Sequence, residues 1–184
     1  MKEYYIRIMT ELSCSSIDAI LNKVDDCLLN KYDRIHLLIS TPGGAVNRGI
    51  SLANYLKGIP MEIYTYNFGV VDSVGIAVYS VGAKRFCTPQ ARFLMHPVNM
   101  LFIGSQNIDK EFLLRKLNEI EIDTRNVAGI ISNGSNMNID EVICCMEKET
   151  IFDAYAALKC GLVNEVSSLN ILRDIELFSI FSDS

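Results

Sequence analysis

Two stretches decide the reading: Thr41-Pro42-Gly43-Gly44 and Gly69-Val70-Val71-Asp72-Ser73-Val74-Gly75. Each follows an apolar run that reads as a buried strand, Ile35-His36-Leu37-Leu38-Ile39 in the first case and Met61-Glu62-Ile63-Tyr64-Thr65-Tyr66 in the second. Each precedes a stretch of helical periodicity. A strand that ends in glycines and opens a helix leaves backbone N–H groups without partners, because the first helical turn cannot pair them internally. Such groups stabilise a developing oxyanion, and a serine in the neighbouring strand-to-helix turn stands where a nucleophile is needed. Arg92-Phe93-Leu94-Met95-His96-Pro97 then puts one of the chain's two histidines at the end of another apolar strand, where it can serve as a general base.

Working outward, Tyr4 to Met9 reads as a first strand, followed by a helix capped by Ser15 or Ser16, with Ile17, Ile20, Leu21, Val24, Leu28 and Leu29 at helical spacing. Arg34 to Ser40 is nearly all apolar, which suits a strand covered on both faces, and His36 inside it reads as a packed core residue. Val46 to Lys57 forms a helix that Gly58 and Pro60 end. Val74 to Val81 is rich in small apolar residues and reads as a buried helix. Phe86 to Pro89 and Ala91 to Met95 are short strand candidates after a turn at Gly82-Ala83-Lys84-Arg85. This alternation predicts an α/β fold with a largely parallel sheet.

The stretch 99–106 reads as a loop or extended piece, and Ile108 to Ser132 as one long helix, so densely charged that it lies on a surface or reaches to a partner. Ile139 to Met146 is a second, short helix. Asp153 caps a third, Ala154 to Cys160, which Gly161 stops. Residues 169–184 carry little pattern.

At 184 residues, with 49% hydrophobic residues, the chain reads as one domain, 1–184, with a sizeable core. A net charge of −5 without a Lys/Arg run argues against nucleic acid as a partner. No apolar run reaches the roughly 18 residues of a membrane span, and Met1-Lys2-Glu3 does not open a signal peptide, so a cytoplasmic location is expected. The six cysteines are scattered, none in a CxxC pair, and there are only two histidines. Reduced thiols are expected, and no metal site.

The sequence resembles the proteolytic subunit of the Clp protease, the ClpP family of serine peptidases. The resemblance is carried, in order, by Thr41-Pro42-Gly43-Gly44, Asp72-Ser73-Val74-Gly75, Val81-Gly82-Ala83-Lys84-Arg85-Phe86, Leu94-Met95-His96-Pro97, and Ala156-Ala157-Leu158-Lys159-Cys160-Gly161-Leu162-Val163-Asn164. It covers residues 5 to 168, and the blocks are specific in combination rather than singly. It implies the ClpP/crotonase-type spiral of strand–helix units, with a projecting helical handle over about 99–135 through which two rings of subunits meet. It implies serine endopeptidase activity on peptides or unfolded proteins, without metal or organic cofactor. It also implies a homo-oligomeric ring and an ATP-driven unfoldase as partner. The first strand begins near Tyr4, which leaves essentially no N-terminal segment for axial pore loops. The handle entry, Asn99-Met100-Leu101-Phe102-Ile103-Gly104, also differs from the glycine-rich family version. Both departures weigh against the unfoldase and predict a chain that acts alone, acts on small peptides or assembles differently.

Residue by residue, the resemblance makes Ser73 the nucleophile, His96 the base, and the N–H groups of Gly44 and Val74 the oxyanion hole. As a bare sequence feature, Ser73 is equally a helix N-cap and His96 a structural strand-end residue. The family's aspartate falls here on Glu149, whose extra methylene requires the backbone to stand farther from the imidazole. Asp153 is a shorter-range alternative with a capping role, and Glu147 and Asp72 are weaker ones. A Ser–Lys dyad would need Lys84, which sits in a turn. Two other functions remain open. One is a non-catalytic structural or regulatory subunit, suggested by the Glu149 substitution and the short N-terminus. The other is a crotonase-like acyl-CoA enzyme, against which His96 argues.

Overall fold

The computed structural model describes residues 1–101, 108–171 and 175–181. In chain order the elements are β1 (Glu3–Met9), α1 (Cys14–Leu29), β2 (Arg34–Thr41), α2 (Val46–Gly58), β3 (Glu62–Asp72), α3 (Val74–Ser80), β4 (Lys84–Cys87), β5 (Arg92–Leu94), α4 (Lys110–Asn133), α5 (Ile139–Glu147), β6 (Ile151–Asp153), α6 (Ala154–Lys159), β7 (Glu165–Val166) and β8 (Leu177–Phe181). The α/β alternation read from the sequence is present.

The sheet runs β6-β5-β3-β2-β1-β8, with β4 and β7 joined beside β3. Every pairing is parallel except β5 with β6. β2 is the central strand, and its two faces explain its composition. Ile35, Leu37 and Ile39 point into the core with α1, α2 and α3, while His36 and Leu38 are buried on the other face. His36 packs there as a core residue. It stacks on Tyr5 at 4.2 Å, and its Nδ1 lies 2.9 Å from the Tyr66 hydroxyl. Burial pushes its pKa down.

Several boundaries differ from the sequence reading. The α1 cap is Ser13, whose hydroxyl accepts the Ser16 N–H at 3.2 Å; Ser16 is already inside the helix and donates to the Glu11 carbonyl. β3 continues past Tyr66 to Asp72. It does so by shifting register against β2 between Ile39 and Thr41, a bulge between Asn67 and Val71 on β3; within it, a Cβ on Gly69 would stand 3.0 Å from the Ser40 hydroxyl. This bulge lets one strand pair with β4 along Tyr64–Asn67 and with β5 along Val70–Asp72. Lys84 and Arg85 belong to β4 rather than to a turn. β8 closes the β1 edge.

The long helix begins two residues later than expected, at Lys110: the Asp109 side chain caps it by accepting the Phe112 N–H. Its C-terminal half is anchored by Val127, Ala128 and Ile131, while Leu113, Leu114, Leu117 and Ile122 on the N-terminal half are about half exposed. The handle-entry stretch lies outside the described residues beyond Leu101. Among the described residues no helix is long and apolar enough to cross a membrane. All six cysteines are free, and burial raises the Cys27 and Cys87 thiols to about 11.

Candidate active site

The site begins at the sheet's centre, where β2 and β3 end side by side. Gly43 has φ +95° and Gly44 φ +149°. A Cβ on Gly43 would come within 2.6 Å of the Ser73 Cβ and 2.9 Å of the Asp72 carbonyl, and one on Gly44 within 2.5 Å of the Leu12 carbonyl. Only glycine satisfies both the backbone and the space. The turn is clamped by Leu12, which donates to the Gly43 carbonyl at 2.7 Å and accepts from Ala45 at 2.9 Å. Leu12, which the sequence reading missed, sits in no periodic pattern and was invisible for that reason. With these bonds made, the N–H of Gly44 faces the other way and has no backbone acceptor among the described residues; the same holds for the N–H of Val74 in the first turn of α3.

Ser73 occupies the N-cap position of α3 with φ 57° and ψ −134°, and its side chain makes no capping hydrogen bond. A non-glycine residue in that region is strained and persists only where its surroundings fix it. Here they do: its own N–H donates to the Leu94 carbonyl at 2.9 Å, and Gly43 packs against its side chain. The hydroxyl is thus free of the ordinary capping task and lines a cleft.

His96 lines the same cleft from the end of β5. Its Nδ1 lies 2.8 Å from the Pro97 carbonyl. A carbonyl only accepts, so this contact places the ring proton on Nδ1 and leaves Nε2 as the acceptor, the tautomer a general base requires. No hydrogen bond joins Ser73 and His96 in this conformation. Glu149 follows α5 in a left-handed turn, φ +50°, and is exposed. The antiparallel register of Leu94 with Ile151, continued by the Met95 N–H to the Thr150 carbonyl at 3.0 Å, brings the turn that carries Glu149 to the end of the strand that leads to His96. No hydrogen bond joins their side chains.

Two of the other candidate carboxylates have other partners. Asp153 caps α6 through the Ala156 N–H at 2.8 Å, and Asp72 is paired with Arg92 at 3.0 Å. Lys84 stands over the Tyr64 ring, away from the cleft. Among the described residues no group of three or more His, Cys, Asp or Glu side chains is placed to hold a metal.

Beside Ser73 the wall is apolar: Val46 of α2, Val74 of α3, Met95 and Val98 after β5, and Val127 and Ile131 of α4. From there a cleft of about 600 Å³ runs on past Asn47, Arg48 and Asp123. An α/β fold with a serine held in a strained strand-to-helix turn, a histidine on the same cleft and a glycine turn packed against both has the layout of a serine hydrolase. The comparisons carry this further. The family model described as Clp protease matches residues 1–170. The ATP-dependent Clp protease proteolytic subunit of Streptococcus mutans is 30% identical over 143 residues, covering 76% of this chain and 71% of the relative. That of Lactococcus lactis subsp. cremoris is 28% identical over 143 residues, covering 76% and 70%. In structure the chain is similar to a ClpP1 point mutant from Listeria monocytogenes, with a TM-score of 0.80 at 18% identity, over 90% of this chain and 91% of that one. The chain belongs to the Clp protease family, and its fold is that of ClpP. Membership makes serine peptidase the general class of its function.

Proposed function

We propose that the chain, as one peptidase domain, is a serine endopeptidase that hydrolyses peptide bonds in peptides or unfolded proteins. Ser73 attacks the carbonyl carbon, and Nε2 of His96 takes the hydroxyl proton and returns it to the leaving amine. The N–H groups of Gly44 and Val74 receive the negative charge of the tetrahedral oxygen; one such donor is worth about 10²–10³ in rate. Water then releases the acyl group by the same steps in reverse order of partners. Glu149, on the turn brought to the end of the strand that leads to His96, lowers the energy of the imidazolium by its charge, while the Pro97 carbonyl holds the tautomer. A strand-like substrate lies along the cleft beside Gly44 and the segment after His96.

The observation that carries this reading is Ser73 itself, strained and without a capping bond. The exposed apolar residues on the projecting half of α4 support self-association through the handle, as in a ring, and a cytoplasmic location accords with the reading. An unfoldase partner is not required by it. The second reading is a non-catalytic subunit, favoured by the absence of a hydrogen bond between Glu149 and His96. Labelling with a fluorophosphonate serine probe separates the two. The peptidase labels, and Ser73→Ala and His96→Ala do not; a folded protein that never labels supports the non-catalytic subunit.

A further inference from the structure

Two charged side chains stand on the rim of the cleft besides His96: Arg48 in the first turn of α2 and Asp123 in the middle of α4. Arg48 is already paired. Its Nη2 donates to the Asp18 carboxylate of α1 and, at 3.4 Å, to the Cys14 carbonyl. Asp123 has no cation within 4 Å among the described residues. Its partner is neutral: the Asn47 amide, in the orientation that satisfies its hydrogen bonding, donates to both carboxylate oxygens at 3.0 and 3.2 Å. The carboxylate is therefore fixed in direction without being neutralised. Partial burial, and behind it Glu119 one turn earlier on α4, raise its pKa.

Its position relates it to the reacting centre. Asn47 adjoins Val46, and Asp123 is one helical turn from Val127; both valines line the apolar pocket beside Ser73. That pocket encloses only about 10 Å³, too little for a large side chain, whereas the cleft that continues past Asp123 holds about 600 Å³. A long substrate side chain next to the scissile bond lays its stem over Val46 and Val127 and brings its tip to Asp123. Side chains with an apolar stem and a cationic tip are lysine and arginine.

We propose that Asp123, held by Asn47, is a specificity-determining residue that selects a lysine or arginine side chain beside the scissile bond. This rests on the peptidase reading above. The preference has a pH signature. Because burial and then Glu119 raise the Asp123 carboxyl above its ordinary value, the preference fades on acidification earlier than an exposed aspartate would give. Glu119, itself paired with Lys116, adds to the negative potential at Asp123, and Arg48, held by Asp18, lines the same cleft. His96 lines the same cleft, so the Asp123→Asn profile is the control that isolates the part due to Asp123.

The test uses Ser73→Ala protein, in which binding is read without turnover. Fluorescent peptides carry a single lysine walked along an otherwise norleucine and alanine sequence, and binding is followed by anisotropy. One lysine position is expected to bind about 5-fold tighter than norleucine at the same place, the scale of a partly exposed ion pair. Asp123→Asn removes that difference, and Asp123→Lys transfers the preference to glutamate. Unchanged thermal melting of both variants shows that they fold. Equal binding of lysine and norleucine peptides, no measurable binding of any, or a preference that survives Asp123→Asn overturns the proposal. Failure of the unsubstituted protein to cleave peptides that it binds would count against the peptidase reading alone.

Discussion

The corner formed by Gly43, Gly44 and Ser73 and the edge formed by His96 and Glu149 are built on opposite principles. The corner is made of backbone at the sheet's centre, where a single added Cβ would collide at 2.5–2.6 Å. The edge lies where three-residue β5 meets three-residue β6, with Glu149 exposed and in a left-handed turn. At Gly43 and Gly44 the first region has no room for a side chain, because neighbouring backbone and the Ser73 side chain already fill the space. The second is positioned by two strand ends and a carbonyl. Aspartate can give way to glutamate there without disturbing anything buried. On the proposed reading, the nucleophile and oxyanion hole are therefore the fixed half of this site, and the acid is the adjustable half.

The largest expected effect is on the fixed half. Ser73→Ala should lower peptide hydrolysis by more than about 10⁴-fold, because base and hole without the nucleophile retain only a small part of the rate enhancement. Substrate binding measured separately should stay within about 2-fold. Residual activity above a hundredth of the original would show that another residue attacks, and the contrast between corner and edge would then have no chemical meaning.

Gly44→Ala should come next. Its Cβ meets the Leu12 carbonyl at 2.5 Å and its φ of +149° is unfavourable for alanine. We expect a loss of about 3 kcal/mol in denaturant unfolding, from strain and overpacking together. Hydrolysis in the folded fraction should fall by about 10²–10³, as one oxyanion donor is displaced. A variant as stable as the parent would mean that the turn yields easily, and the corner would then be no more rigid than the edge.

How much of this was legible in the sequence follows the same division. Gly43, Gly44 and Ser73 could be read because a backbone that admits only glycine, or strains a serine, leaves its mark on residue type at a fixed place between a strand and a helix. The two histidines were also separable. His36 lies inside an apolar run and is packed against Tyr5 and Tyr66, whereas His96 ends its strand. The Ser13 cap was misread because serines crowd the start of α1 and only the packing of Ser16 decides among them. β8 had no pattern of its own, since what buries it is β1, at the other end of the chain. The Asn47–Asp123 contact and the Pro97 carbonyl's hold on His96 are tertiary or backbone facts with no trace in residue spacing.

On the adjustable half, Glu149→Gln should cost only about 5-fold in kcat/KM. The tautomer is already held by Pro97, so the loss is the charge effect on the imidazolium, about 1 kcal/mol for an exposed pair. A loss near 10⁴-fold would mean that the working enzyme swings His96 onto the carboxylate, and the edge would become as exacting as the corner.

The smallest effect bears on the same residue from the other side. Glu149 has φ +50°, so Glu149→Gly should relieve backbone strain and raise stability by roughly 0.5–1 kcal/mol in thermal or denaturant unfolding. Glycine also removes the carboxylate, so its kcat/KM should match that of Glu149→Gln within a factor of about 2. If the two variants agree in rate while only the glycine variant gains stability, the strained turn was kept for the carboxylate it carries. If Glu149→Gly loses stability instead, the Glu149 side chain contributes to holding α5 against β6, and the acid end of the site is part of the scaffold after all.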